Sequence, residues 1–150
     1  MAYIKYKEIT KYFNFIRVLD KDKLPSYIFE YIFKDEKILT AYKTNTDHGV
    51  FTTKKIVLFD NYSLFGRMKH IYTIPYNSIS SCSVMFFPGR AELILYMDSG
   101  YPVRIKFINM KSIDKLRLRL IYNVIMQVVN NQKIDANIVD KLIRDDLSFE

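Results

Sequence analysis

Two histidines, one cysteine and two adjacent carboxylate pairs are the groups in this 150-residue chain whose types suit chemistry. His48, in "TNTDHG", and His70, in "GRMKHIY", stand apart, and neither has a carboxylate or cysteine at metal-ligand spacing. Cys82 lies within the strand-like run "SISSCSV" with no nearby basic partner to hold a thiolate, so a small buried residue is the expectation. Asp35/Glu36 and Asp145/Asp146 are sequence neighbours, and neighbours on a strand or helix point apart instead of sharing a proton. With no glycine-rich phosphate loop either, the expectation is no catalytic residue, no metal, no cofactor and no enzyme.

Composition narrows the partners. Hydrophobic residues make up 49% and charged residues 26%, the balance of an ordinary folded domain. The length suits one domain able to bury its own core. A net charge of +7 favours phosphate, anionic lipid or acidic protein as partners, but the cations are spread along the chain with no basic tail. One cysteine excludes an internal disulfide, and "MAYIKYKEIT" lacks a long apolar signal core, so a cytoplasmic location is expected.

The elements that must position these residues fall into three zones. Ile9, Tyr12, Phe13, Ile16 and Leu19 follow the spacing of one helical face over Tyr3 to Leu19, and Pro25 is placed to open a second short helix carrying Ile28, Tyr31 and Ile32. From Glu36 to Phe107 the pattern changes to "KILTAYK", "GVFTT", "KIVLFD", "HIYTIPY", "SISSCSV", "AELILYM" and "YPVRIKF", seven short strands. Ser112 then suits a helix N-cap, with Asp114 in the first turn. Ile113, Leu116, Leu120, Val124 and Val128 form a stripe expected to face the core, beside a second stripe of Leu118, Ile121, Ile125 and Val129. "DANIVDKLIRDDL" is expected to close the chain as a short helix with Ile138, Leu142 and Leu147 inward. One folding unit follows: a helical extension over 1–34, a β-rich unit with its helix over 35–132, and a short helical segment over 133–150.

Seven short strands and one amphipathic helix is the element order of the pleckstrin homology barrel. "EKILTAYK", "VFTTKKIVLFD", "GRMKHIYTIPYNSISSCSV" and "AELILYM" resemble the bacterial pleckstrin homology (PH)-like domain family, from about Glu36 to about Val129. Its more specific parts are the "FTTKK" turn, with Thr52 to Lys55 between two strands, and the "IPYNSI" corner, where Pro75 fixes the bend. The resemblance implies an α+β, mainly β fold: a seven-stranded antiparallel barrel capped by a C-terminal amphipathic helix, here with an N-terminal helical extension. It also implies no enzyme, and ring-forming or other oligomeric assembly. Eukaryotic relatives bind phosphoinositides through basic residues around the first strand-to-strand loop. Here that loop holds only Asp47 and His48, with Lys43 before it, so the lipid motif is missing.

Two surfaces remain as candidates. The loop "DNYSLFGRMKH" should share a barrel end with "TNTDHG", and Leu64 and Phe65 beside Arg67 and Lys69, with Lys43, suit a protein groove or an anionic membrane, unless the apolar pair folds back on the barrel. Leu118, Ile121, Tyr122, Ile125 and Val129 widen the helix arc and suit an oligomer interface. The functional expectation is a non-enzymatic interaction module, a homo-oligomer presenting loops to a protein partner. Nucleic-acid binding through cations and strand aromatics is one alternative, and peripheral membrane binding through the 60–70 loop is the other.

Overall fold

β-branched and aromatic residues alternating between short polar turns dictate strands over the middle of the chain, and there the seven expected strands form. A computed structural model describes residues 14–61 and 69–147. Two short strands come first, β1 (Asn14–Phe15) and β2 (Arg17–Leu19). β3 (Ile38–Lys43), β4 (His48–Thr52), β5 (Lys55–Asn61) and β6 (Lys69–Pro75) follow. After a 3-10 corner at Tyr76–Ser78 come β7 (Ile79–Phe87), β8 (Arg90–Met97) and β9 (Pro102–Phe107). The chain ends in helices α1 (Ser112–Val129) and α2 (Ala136–Arg144).

The strands make two sheets, ordered β2-β3-β4-β5-β6 and β1-β9-β8-β7. β9 shows why they pack: Val103, Ile105 and Phe107 are buried while Pro102, Arg104 and Lys106 are exposed, the period of two that gives a strand one core face. The main core lies between the sheets and against α1, gathering Phe51, Leu58, Leu93, Leu95 and Ile105 with Leu118 and Ile121. A smaller core on the outer side of the five-stranded sheet packs Ala41, Val50, Val57 and Phe59 under Leu24 and Ile28. Ile28 belongs to a 3-10 helix over Ser26–Tyr31 that starts behind Pro25, where the second short helix was expected.

The N-terminal extension differs from expectation. Residues 14–19 are extended, not helical, and Tyr3 to Phe13 lie outside the described residues. This one stretch pairs with both sheets: Arg17, Val18 and Leu19 run antiparallel to Lys43, Tyr42 and Ala41, while Asn14 and Phe15 run parallel to Lys106 and Phe107. Two free sheet edges, brought together by the fold, outweigh the helical spacing of a few apolar residues.

Phe15 sits where the sheets meet. Its ring stacks on Tyr42 at 5.0 Å and meets Phe107 and Phe51 edge-on at 5.1 and 6.0 Å. Gly49 makes the space: a Cβ there would lie 2.5 Å from Phe15 Cζ, too close for any side chain. A backbone that must approach a ring this closely takes glycine.

In α1, the N-cap position is held by Lys111, whose N–H donates to Asp114 Oδ2 at 2.8 Å, so Ser112 is the first helical residue instead of the cap. The core face draws on both stripes: Val124 of the first is completely buried as expected. Leu118, Ile121 and Ile125 are completely buried, whereas Ile113, Leu116 and Leu120 are half-buried. The expected subunit interface is therefore largely the chain's own core, with Tyr122 and Val129 at its margin. The physical reason is Arg117, buried on the same face because Asp114 and Asp145 take its guanidinium at 2.9 and 2.8 Å. α2 closes the chain as expected, with Leu142 fully buried and Ile138 and Leu147 half-buried.

Gly49→Ala should cost about 1–3 kcal/mol by overpacking. In a Phe15→Leu background the same change should cost much less, a coupling that denaturant unfolding of the four variants in a double-mutant cycle measures. Additive costs would refute the contact as the reason for glycine.

Candidate functional site

The loop between β3 and β4 and the strands flanking residues 62–68 meet at one end of the five-stranded sheet, as expected. Thr44 N–H donates to Asp47 O and Asp47 N–H to Thr44 Oγ1, which closes the turn at 3.0 and 2.9 Å. Thr46 Oγ1 donates to Asp60 at the end of β5, and Asn61 Nδ2 returns a bond to Thr46 O at 3.0 Å.

The turn buries the Asp47 carboxylate. Oδ1 accepts from Tyr27 OH, and His48 Nδ1 lies 2.8 Å away. Lys69 Nζ stands 3.1 Å from Oδ2, an ion pair lacking hydrogen-bond alignment, and 3.4 Å from the centre of the Tyr27 ring. Burial would raise the Asp47 pKa, but the bonds from His48 and Tyr27 and the charge of Lys69 outweigh it and hold the carboxyl below its ordinary range. Tyr27 is pushed up by its own burial and by Asp47, which keeps its hydroxyl a donor.

A second polar node sits under the β4–β5 turn. Glu36 Oε1 takes Lys55 Nζ and the Phe33 N–H, both at 2.8 Å, and Oε2 takes Thr52 Oγ1 at 2.7 Å. Thr52 Oγ1 also accepts from the N–H groups of Lys54 and Lys55 at 3.0 Å, fixing the two-residue turn. Tyr76 OH donates to Thr52 O at 2.7 Å, and Tyr76 N–H to Lys54 O at 3.0 Å. "FTTKK" and "IPYNSI" are thus two halves of one contact. Burial alone would raise the Glu36 pKa, but Lys55, Phe33 N–H and Thr52 reverse the sign and hold it low.

A turn and a corner locked together this way, between two sheets with a helix packed on them, fit the fold that the sequence resemblance implies. The bacterial PH domain family model matches residues 7–129. The chain belongs to the bacterial PH domain family. Its relatives include the uncharacterized proteins YozO, 32% identical over 87 residues (55% of this chain, 72% of YozO), and YjqA, 38% identical over 62 residues (41% and 49%), both from Bacillus subtilis (strain 168). A DUF1696 family protein with a pleckstrin-homology domain from Shewanella loihica PV-4 shares the fold at 23% identity, with a TM-score of 0.58 over 75% of this chain and 95% of that one. A pleckstrin homology domain from Shewanella amazonensis SB2B aligns at 25% identity and a TM-score of 0.50, covering 67% of this chain and 85% of its own.

Within this bacterial PH domain only some of the candidate residues are described. Lys43 ends β3 and Lys69 begins β6 at the same sheet end, while Leu64, Phe65 and Arg67 lie outside the described residues. His48 is tied to Asp47, and the His70 ring lies 3.7 Å from that of Tyr72. Cys82 is buried against Met126 Sδ at 3.3 Å, and burial pushes its thiol pKa up to about 11, away from a reactive thiolate. Asp35 pairs with Lys54 at the surface, whereas its neighbour Glu36 turns inward, so the two carboxylates do point apart. Sequence reasoning missed the Glu36–Lys55 pair. The available signal was parity: Lys55 shares a strand face with Val57 and Phe59, where a cation demands a buried partner.

Lys55→Met should cost about 3–5 kcal/mol, because it strands a buried carboxylate, and Lys55→Met with Glu36→Leu should recover much of that loss. Both Glu36 and Asp47 have folded pKa values below their unfolded ones. Their stabilisation is therefore complete above about pH 4.3, the ordinary glutamate value, and is lost as pH falls through the depressed values. The acid limb of a pH–stability curve should flatten in Asp47→Asn, and an unchanged limb would refute the assignment.

Proposed function

We propose that this bacterial PH domain is a non-enzymatic interaction module that assembles with itself and presents a surface to a protein partner. The single observation that carries the reading is where large apolar side chains stay exposed. Met85 and Phe86, on β7, and Ile108, just after β9, are each about two-fifths exposed. The register sets Phe86 and Phe107 on either side of Ala91, bringing Phe86 and Ile108 to one end of the four-stranded sheet. Exposed apolar side chains near one sheet end have the character of an interface. The buried charged groups, by contrast, are matched within the fold: Glu36 with Lys55, Asp47 with Lys69, Arg117 with Asp114 and Asp145, and Asp60 with the Thr46 hydroxyl. The strand aromatics that suggested nucleic-acid stacking, among them Phe15, Tyr42, Phe51 and Phe107, lie in the core.

A second reading, an anionic membrane surface, rests on a different observation. Arg17 stands directly across from Lys43 in the adjacent strand. Like charges opposed in a sheet are destabilising unless an anion screens them. No helix among the described residues is long and apolar enough to cross a membrane.

Light scattering should give an oligomer mass for the wild-type chain at micromolar concentration, and Phe86→Asp should shift it to monomer with its melting temperature nearly kept. A wild-type monomer overturns self-assembly. Sedimentation with phosphatidylserine vesicles that falls several-fold in Lys43→Gln and with added salt would favour the second reading, and no sedimentation would remove it.

A further inference from the structure

A trough runs along one side of α2. Its first hollow, of about 1010 Å³, opens between the Thr53–Lys54 turn and the helix, and a second, of about 540 Å³, continues it past Lys37 and Ile143 toward the 3-10 helix. The floor of the first is apolar, with Val128, Ile134, Val139 and Ile143 all half-buried. Phe29, half exposed, with Ile32 and Ile38, lines the second.

Its rim has a definite chemistry. Asn77 on one wall faces Asn131, Gln132 and Asn137 on the other, and all four are exposed. None of their carboxamides bonds another group among the described residues, so each keeps a donor and an acceptor free. Most charges beside the rim are paired, Asp35 with Lys54, Asp140 with Arg144 and Glu36 with Lys55, while Lys37, which lines both hollows, is exposed and has no ion pair among the described residues. Lys21 Nζ is turned onto the carbonyls of Leu142 and Leu39, at 2.8 and 3.2 Å.

We infer that this trough is the docking site for an extended, uncharged peptide segment of a partner protein, with one apolar side chain seated in each hollow. The inference rests on the interaction-module reading and names its partner surface. Carboxamides on both walls complement backbone N–H and C=O groups, which an extended segment leaves free and a helix satisfies internally. Two linked hollows suit a chain in preference to a compact small molecule. A rim whose charges are mostly paired off, with Lys37 the exception, offers little to a strongly charged ligand.

The test is panning a random-peptide phage library on the full chain. Enriched peptides should be rich in apolar and small uncharged residues and poor in Asp, Glu, Lys and Arg. A synthetic peptide of that sequence should lose about tenfold or more in affinity for Val139→Lys, a change on the trough floor equivalent to about 1.4 kcal/mol. It should lose several-fold for Asn137→Ala, an exposed position that leaves folding intact and so decides the matter if Val139→Lys fails to fold. No enrichment, charged consensus peptides, or equal binding to the folded variants would overturn the trough. Crosslinking of the wild-type and Asn137→Ala chains to a partner in cells separates the two claims. Equal capture by both leaves the interaction module standing and removes this site.

Discussion

Phe15 is the ring on which the two sheets depend. It comes from a stretch that hydrogen-bonds to β3 on one side and β9 on the other: Ile16 N–H donates to Lys43 O at 2.8 Å and Ile108 N–H to Phe15 O at 2.9 Å. A strand end shared between two sheets holds only if its side chain fills the space between them. Phe15 does so by meeting Tyr42, Phe51 and Phe107 at once, each such pair contributing about 0.5–1.5 kcal/mol beyond area burial. The constraint then propagates. Gly49 has no side chain because the ring occupies its place, and the loop that begins β4 is set by that close approach.

At the opposite corner the sheets are joined covalently through Pro75 to Ser78, and the polar node at Thr52 governs the geometry. One hydroxyl accepts from two backbone N–H groups of the turn and donates to a buried carboxylate, while the carbonyl of the same residue receives the Tyr76 hydroxyl. Removing any member leaves a desolvated polar group, a cost of about 1–3 kcal/mol. In this chain the turn and the corner depend on one another: each completes the hydrogen bonds of the other.

The seven central strands were legible because parity and turn chemistry agreed, as in "VFTTKKIVLFD", where the apolar residues on both sides of Thr53 and Lys54 alternate into cores. Residues 14–19 were not, because their apolar residues fit a helical period as well, and what decided was pairing with Lys43 and Phe107, remote in sequence. The helix itself was legible, but its rotation only in part. Its apolar arc is wide enough for residues of both stripes to turn inward, Val124 with Leu118, Ile121 and Ile125, and Arg117 joins them on that face through a partner, Asp145, that lies beyond the helix. The site was least legible: Asp47, Glu36 and Lys55 read as ordinary surface charges until the fold buries them.

That burial bears on function. Polar groups matched inside the fold specify its shape and are not available to a ligand, so binding must use what the ties leave outside. α2 illustrates this. It is clamped at its start by Gln127 Oε1, which accepts from Asp135 N–H at 2.8 Å, and at its end by Lys21 on Leu142 O and Arg117 on Asp145. Burial and neighbouring Arg117 lower the Lys21 pKa, opposed by Asp145, which is the signature of an ammonium held against protein instead of water. The clamps at both ends hold the helix through polar groups, and Val139 and Ile143 stay half-buried beside the hollow. A groove held open by polar ties is preorganised, so a ligand entering it avoids much of the ordering cost that weakens binding to mobile surfaces.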